Sequence, residues 1–238
     1  MDALDGLRTL TVPTLANAVE AFGVVAPNSG YNKRPLTCHF PELGMCIGYA
    51  ATVHATTDRG PDDAPTPVDE PKYWRWLEGL AERGPLVVVL EDLDDPPGGA
   101  MWGEWNGHVH RALGCIGTIT QGAVRDLDAL ERLGFHTFAT AVSPAHGYGA
   151  FFRYGEPATV AGLTVETGDL LVADLHGVLR IPPQIPLAEL VEVGREIDRL
   201  ESEIFAHARS REFGVESLAQ LQQSVLARWP RGPHTGAR

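Results

Sequence analysis

Hydrophobic and polar positions follow two different patterns along this chain. Up to about residue 142, apolar residues recur at helical spacing or in short continuous runs, so that helices and strands alternate. From residue 72 onward, this alternation is typical of βαβ units and predicts a parallel sheet. The predicted helices span 4–22 (in two pieces), 72–83, 106–113 and 126–133, and the predicted strands span 45–56, 86–90, 115–119 and 136–142.

Beyond residue 155 the pattern changes to short β-rich pieces separated by turns, which predicts antiparallel strands as far as residue 182. Two amphipathic helices are predicted after them, at 187–209 and 215–228. We therefore expect one domain over residues 1–185 and a C-terminal helical extension over residues 186–238. A proline-rich acidic stretch, residues 58–71, has little to bury and is predicted to be a surface insertion or lid.

Composition narrows the possible partners. The chain has 238 residues with 44% hydrophobic and 21% charged, as in a soluble globular protein, and its net charge of −12 argues against nucleic acid. The N-terminus lacks the features of a signal peptide, and no apolar run reaches the ~18 residues of a membrane span. Three cysteines without a C-x-x-C pair suit a reducing compartment, so we expect a cytoplasmic protein without membrane contact.

The stretch from residue 98 to 126 carries the most distinctive chemistry. Glu104 lies in a glycine-rich loop, and Arg125 and Asp126 follow the predicted strand after it. In an α/β unit both loops reach the same sheet edge. Two carboxylates suit a hard divalent ion, the arginine suits a substrate carboxylate, and a helix N-terminus offers further donors. On these residues alone, the alternative is an ordinary surface Arg–Asp pair beside an unrelated loop glutamate.

Two motifs carry a resemblance to a known family. Glu104 is followed by twenty residues and then by Arg125-Asp126, within the local contexts W-G-E and Q-G-A-V-R-D. A second segment, VETGDLLVADLHGV at residues 165–178, precedes an Ile-Pro pair. Together they resemble the RraA-like family, which includes 4-hydroxy-4-methyl-2-oxoglutarate aldolases and related oxaloacetate decarboxylases. The resemblance covers roughly residues 10–185.

The resemblance implies a fold, an activity and an assembly. The fold is the α/β class, a swivelling β/β/α three-layer domain with a central parallel sheet and an outer antiparallel one. The activity is Mg2+- or Mn2+-dependent lyase chemistry on a small 2-keto acid, by retro-aldol cleavage or decarboxylation through a metal-stabilised enolate. The assembly is a homotrimer or hexamer with sites at subunit interfaces.

The resemblance also implies roles for individual residues. Asp126 would bind the metal directly, and Glu104 would bind it through a metal-bound water. Arg125 would hold the keto-acid end and polarise a water that moves a proton. The glycine-acid loop would hold the substrate carboxylate at three positions: Gly103, Trp105 and Asn106.

Some features depart from the family pattern or leave alternatives open. The bulky Trp105 follows the acid where the family often has smaller residues, and we expect it to reshape the pocket. His146 and His176 lie in predicted loops and are candidates for general acid/base catalysis, with surface hydrogen bonding as the alternative. His54 lies inside a predicted strand and is expected to have no catalytic role.

Two other functions stay open at this point. One is a regulatory protein-binding module like the family member that inhibits an RNA-degrading endonuclease, for which metal ligands are not needed. The other keeps the same metal site but uses it for another enolate reaction, such as a hydratase or isomerase step.

Overall fold

The computed structural model describes residues 3–60 and 62–231. The described residues within 30–181 form one compact unit built on a sheet, and the described residues before 30 and after 181 form a second, helical unit. The predicted division at residue 185 stays a prediction. Of the segments predicted above, residues 1–2 at the start of the domain, residue 61 in the insertion and residues 232–238 in the extension lie outside the described residues.

The helices and strands follow the predicted alternation closely. The helices are α1 (Ala3–Leu7), α2 (Val12–Phe22), α3 (Glu70–Ala81), α4 (Glu104–Ala112), α5 (Leu127–Arg132), α6 (Leu187–Ala208) and α7 (Val215–Arg228). The strands are β1 (Thr37–Cys38), β2 (Cys46–Thr56), β3 (Leu86–Asp92), β4 (Ala100–Trp102), β5 (Cys115–Thr120), β6 (Ala123–Val124), β7 (His136–Ala139), β8 (Ala141–Val142), β9 (Ala150–Tyr154), β10 (Ala158–Val160), β11 (Leu163–Val165), β12 (Leu170–Asp174) and β13 (Gly177–Ile181). No helix in the described part of the chain is long and apolar enough to cross a membrane.

The central sheet of the sheet unit has a parallel core. Its strand order is β1-β7-β5-β3-β2-β12-β13, with β9 also paired to β2. The pairs β2–β3, β3–β5 and β5–β7 are parallel, as the βαβ pattern predicted. The continuous apolar run from Leu86 to Leu90 is buried on both faces, which is the usual state of a strand inside a parallel sheet.

Different layers cover the two faces of this sheet. The β10–β11 hairpin packs over one face, where Val160 and Leu163 join Val87 and Val89 in one apolar cluster. The other face carries a cluster that includes Leu77 of α3 and the side chains around α4 and α5. The predicted β/β/α layering is therefore confirmed. Among the described residues, only the hairpin forms the outer antiparallel layer, because β12 pairs with β2 and β13 pairs with β12, so that both extend the central sheet.

The helical unit is held by close helix packing. Thr11 caps α2 by accepting a hydrogen bond from the Thr14 amide (3.2 Å), and the Thr14 hydroxyl donates to Asp198 of α6 (2.9 Å). A Cβ at Gly194 would lie 2.5 Å from Leu10, so a glycine allows this close approach. The predicted apolar stripe of α6 is buried within the chain.

A buried polar pair links α3 to α4. The Tyr73 hydroxyl lies 2.8 Å from His110 Nε2, and His110 Nδ1 lies 2.8 Å from the Asn106 carbonyl. Because a carbonyl only accepts, Nδ1 carries the proton, and Nε2 accepts from the tyrosine hydroxyl. Burial lowers the pKa of His110 to about 4, so its imidazole is neutral at neutral pH.

Replacing Tyr73 by Phe tests this pair. The ring packing is retained, but His110 Nε2 is left as a buried acceptor without a donor, so we expect the free energy of unfolding to fall by about 1–3 kcal/mol. Urea unfolding measures the change. Tyr154→Phe is the matched control, since no described residue hydrogen-bonds to the Tyr154 hydroxyl. Equal stabilities of the two variants would contradict the assigned hydrogen bond.

Candidate active site

Three strands of the central sheet continue into a second, smaller sheet. After β3, β5 and β7 the chain enters β4, β6 and β8, which pair in parallel in the order β4-β6-β8. Parallel strands end at the same edge, and ligands usually bind at that edge. The residues that follow these strands therefore come together: Gly103 after β4, Arg125-Asp126 after β6, and Ser143 after β8.

Asp126 has an unusual backbone and an unusual hydrogen bond. Its φ of 55° is left-handed, which costs most residues about 1–2 kcal/mol but is least unfavourable for Asp and Asn. It precedes α5 at the capping position, yet its side chain makes no capping bond to that helix. Instead, its Oδ2 accepts a hydrogen bond of 3.0 Å from the backbone N–H of Glu104, the first residue of α4.

Gly103 makes this contact possible. A Cβ at this position would lie 2.6 Å from Asp126 Oδ2 and 2.9 Å from Arg125 Cγ. The backbone of Gly103 is extended, so alanine would be excluded by this crowding and not by its backbone angles. Arg125 Nε lies 3.6 Å from the same Oδ2. The two loops are thus packed tightly, and Oδ1 of Asp126 receives no hydrogen bond from a described residue.

The start of α4 offers further polar groups. The backbone N–H groups of Trp105 and Asn106 have no acceptor among the described residues, as expected in the first turn of a helix. These donors and the helix dipole favour a negatively charged group at this end. The Glu104 side chain is exposed, and its Oε1 lies 3.9 Å from His108 Nε2 on the next turn.

An open cleft of about 410 Å³ lies at this edge. Arg125 and Asp126 supply its charged groups, and both side chains remain partly exposed. Its lining residues are Val124, Arg125, Asp126, Leu127, Val142, Ser143 and Pro144. The cleft can therefore hold a small anionic molecule next to a guanidinium and a carboxylate.

The carboxylates here fit a hard divalent cation. In the described chain, no three His, Cys, Asp or Glu side chains are grouped so as to hold a metal ion together. The available donors are oxygens of Asp126 and Glu104, with the rest of the coordination left to water or substrate. Mg2+ and Mn2+ accept such a donor set, since carboxylate oxygen suits both and Mg2+ usually keeps several waters.

Trp105 lies outside the lining of the cleft. Its side chain is 78% exposed, in the first turn of α4. The expectation that Trp105 reshapes the pocket stays a prediction. Its backbone N–H, which has no acceptor among the described residues, remains available to a ligand.

The predicted histidines occupy three different places. His146 is exposed in the loop after β8, two residues beyond Pro144 of the cleft. His176 lies at the tip of the β12–β13 hairpin, where its Nδ1 is 3.1 Å from Asp174 Oδ1. That tip is at the opposite edge of the sheet, because the end of β12 pairs with the start of β2. Within this chain, His176 is not brought to the cleft. His54 is buried in β2, with Nε2 3.1 Å from the Pro157 carbonyl.

Both ends of the 58–71 insertion are anchored. Asp94 Oδ2 accepts the Thr57 and Asp58 amides at 2.7 and 2.9 Å, and Arg59 Nε donates to its Oδ1 at 3.1 Å. At the other end, the Val68 amide donates to the Phe151 carbonyl. The described residues of this stretch lie at the surface, as predicted, and its ends are tied to the loop after β3 and to strand β9.

Sequence reasoning missed Asp92, a buried carboxyl at the same sheet edge. It accepts hydrogen bonds from the Thr57 hydroxyl (2.9 Å) and the Asp94 amide (3.1 Å), and its side chain crowds Gly122. Burial raises its pKa above the ordinary value of 3.8, against the lowering effect of these hydrogen bonds. The sequence offered only an acidic turn as a signal for it.

Comparison with known proteins identifies the family. The family model described as RraA-like, Aldolase/RraA, matches residues 12–180, so the chain belongs to this family. This confirms the resemblance inferred from the two motifs.

Two curated relatives and one solved structure illustrate the similarity. The chain is 31% identical over 97 residues (40% of this chain, 16% of the relative) to protein DlpA of Legionella pneumophila. It is 30% identical over 110 residues (44% of this chain, 51% of the relative) to an inferred 4-hydroxy-4-methyl-2-oxoglutarate aldolase of Halalkalibacterium halodurans. The fold is similar to that of Streptomyces coelicolor RraAS2, described as an unusual member of the RNase ES inhibitor RraA family. That match has a TM-score of 0.61 and 20% identity, and it covers 87% of this chain and 96% of the other. These alignments span about half or less of the curated relatives.

Replacing Gly103 by Ala tests the role of the crowded contact. The added methyl group should push the Asp126 carboxylate away from the Glu104 amide, and we expect Mn2+ affinity to fall about 10- to 100-fold, as for other groups that orient a ligand. Titration calorimetry measures the affinity. Gly79→Ala is the matched control, because nothing lies within 4 Å of a Cβ at that helical glycine. An unchanged affinity in Gly103→Ala would contradict this role.

Replacing Asp92 by Asn tests the raised pKa. Because the folded state holds the proton more tightly than the unfolded one, the stability from protonation is complete below pH 3.8 and is lost as pH rises through the folded-state pKa. We expect the wild type to lose stability relative to Asp92→Asn over this interval. Thermal unfolding from pH 3.5 to 7 gives the difference in slope, with exposed Asp128→Asn as the control. Parallel pH profiles for wild type and Asp92→Asn would show that the pKa is not raised.

Proposed function

We propose that this protein is a divalent-metal-dependent lyase that breaks a C–C bond in a small 2-keto acid. The observation that carries the proposal is the hydrogen bond from the Glu104 amide to Asp126, which joins the start of α4 to the cleft that Arg125 and Asp126 line. Membership of a family described as Aldolase/RraA supports this class of chemistry. The bond broken would be the one cleaved in retro-aldol scission or in decarboxylation of an oxaloacetate-type acid.

The metal would be held by oxygen donors. Asp126 would bind it directly through Oδ1, and Glu104 would bind it through an intervening water. Bound Mg2+ or Mn2+ would supply Lewis-acid polarisation of the 2-keto oxygen, which favours the developing negative charge.

The chain's own groups would position the substrate. The Arg125 guanidinium is a planar fork that matches a carboxylate, and its exposure to the cleft leaves it free to bind one. The backbone N–H groups of Trp105 and Asn106 would donate hydrogen bonds to a second anionic oxygen at the positive end of α4. Fixing the head group at these points holds the scissile bond beside the carboxylates.

Proton transfer needs a further group in the retro-aldol reaction. The C4 hydroxyl must lose a proton, and C3 must gain one after the bond breaks. A water polarised by Arg125 would carry one of these protons, and His146 is the acid/base candidate next to the cleft. His176 would take part only if a second subunit brought it there, so its role and the trimer or hexamer remain predictions.

The family also contains regulators, and this leaves a second candidate. A protein-binding inhibitor of the RNase type would need neither exposed carboxylates nor an arginine held at one cleft. The same site could also serve a hydratase or isomerase reaction. Metal binding and product analysis separate these functions.

Replacing Asp126 by Asn tests the proposal with the least structural change. Asparagine tolerates the left-handed backbone, and its side-chain oxygen can still accept the hydrogen bond from the Glu104 amide. It lacks the negative charge that would bind the metal. We expect Mg2+-dependent release of pyruvate from oxaloacetate or 4-hydroxy-4-methyl-2-oxoglutarate to fall at least about 100-fold, or ~2.7 kcal/mol. Asp128→Asn, an exposed neighbour, should retain activity, and EDTA should abolish it.

The other outcomes discriminate among the alternatives. Mg2+ binding through Asp126 without turnover of either acid would contradict the proposed lyase reaction and favour another enolate reaction. Absence of metal binding in the wild type would contradict the lyase proposal and favour the regulatory function.

A further inference from the structure

The cleft has two chemically different walls. Arg125 and Asp126, after β6, form its charged wall. Val142 and Pro144, at the end of β8, supply apolar groups to the same cleft, together with Val124 and Leu127. A ligand in this cleft would therefore meet an anion-binding side and an apolar side at once.

Val142 is unusual among the strand residues of this chain. Both residues of β8 are exposed, and the Val142 side chain is 60% exposed although valine is more often buried. β8 is also the edge strand of the small sheet, so its backbone position is fixed by pairing with β6 on one side. The result is an apolar surface held rigidly beside the charged wall.

The cleft is larger than a keto-acid head group requires. Its volume of about 410 Å³ lies within the range of ~300–1,000 Å³ typical of pockets for larger organic ligands. The head group needs only Arg125, the carboxylates and the amides of α4. The remaining lining is mainly apolar.

From this we infer that the substrate carries an apolar arm beyond its 2-keto acid head, and that Val142 determines specificity for that arm. This inference rests on the proposed lyase function. In a 4-hydroxy-2-oxo acid the arm would be attached at C4. Cleavage of the C3–C4 bond leaves the electron pair on C3, which takes up a proton, while the C4 hydroxyl loses its proton. The products are pyruvate and an aldehyde that bears the arm.

Two substrates that differ only in the arm test the inference. 4-Hydroxy-2-oxopentanoate has a methyl group at C4, and 4-hydroxy-2-oxo-4-phenylbutanoate has a phenyl group. We expect kcat/KM for the phenyl substrate to exceed that for the methyl substrate by at least about 10-fold, because more apolar area is buried. Val142→Thr keeps the β-branched shape but removes one apolar group, so this ratio should fall about fourfold. Val215→Thr, at another exposed valine, is the matched control and should leave the ratio unchanged.

The outcomes separate this inference from the proposed function. Turnover of both substrates at equal kcat/KM would overturn the inference that the substrate carries an apolar arm, and it would leave the lyase proposal intact. If neither substrate is cleaved, the retro-aldol form of the lyase proposal fails, and calorimetric comparison of 2-oxo-4-phenylbutanoate with 2-oxopentanoate tests whether the cleft binds an apolar arm. Tighter binding of the phenyl compound that weakens in Val142→Thr would support the inferred apolar arm, and equal binding would overturn it.

A change of oligomeric state in Val142→Thr, seen by light scattering, would overturn the inference and show instead that this wall contacts a second copy of the chain.

Discussion

The hydrogen bond from the Glu104 amide to the Asp126 carboxylate is the contact on which the candidate site depends. It joins the end of β4 to the end of β6. It also directs the Asp126 carboxylate away from α5, the helix that Asp126 precedes. The left-handed backbone of Asp126 and the missing side chain at Gly103 are both required by this geometry. Strain and close packing of this kind are frequent at functional sites, where the arrangement is held by the surrounding fold.

The layered fold supplies that support. The parallel core is buried on both faces, and three of its strands pass into the small sheet that carries the candidate residues. Rigid strands position functional groups more accurately than free loops do. The neighbouring loops are also tied together, since Asp94 and Asp92 accept hydrogen bonds from the start of the insertion. The cleft is therefore open to solvent while its walls are fixed.

Much of this architecture could be predicted from the sequence, because periodicity reports burial directly. The apolar run at 86–90 and the alternation after it identify the parallel core, and the changed pattern after residue 155 identifies the antiparallel strands. The α/β pattern also predicted that the loops of Glu104 and Asp126 reach one sheet edge, and the hydrogen bond between them confirms it. The amphipathic pattern likewise located the long helix α6 to within one residue.

Other features depend on tertiary contacts that a local pattern does not contain. The sequence pattern predicts one strand over residues 136–142. In the structure this strand is interrupted at Thr140, whose hydroxyl donates to the carbonyls of Gln121 and Gly122. The small sheet and the strand β9 were missed, since their segments are too short or too close to glycines for periodicity to show. The positive φ of Asp126 and the position of His176 at the opposite edge follow from the assembled sheet, so only the structure reveals them.

The most direct test of this account is the position of a bound metal ion. Crystals grown with Mn2+ and examined by anomalous scattering should show one peak at coordination distance from Asp126, with Oδ2 of that residue still bonded to the Glu104 amide. Mn2+ is a suitable probe because it accepts the same oxygen ligands as Mg2+. A peak at another place, or crystals that bind no metal at Asp126 under saturating Mn2+, would contradict the claim that this link builds a metal site.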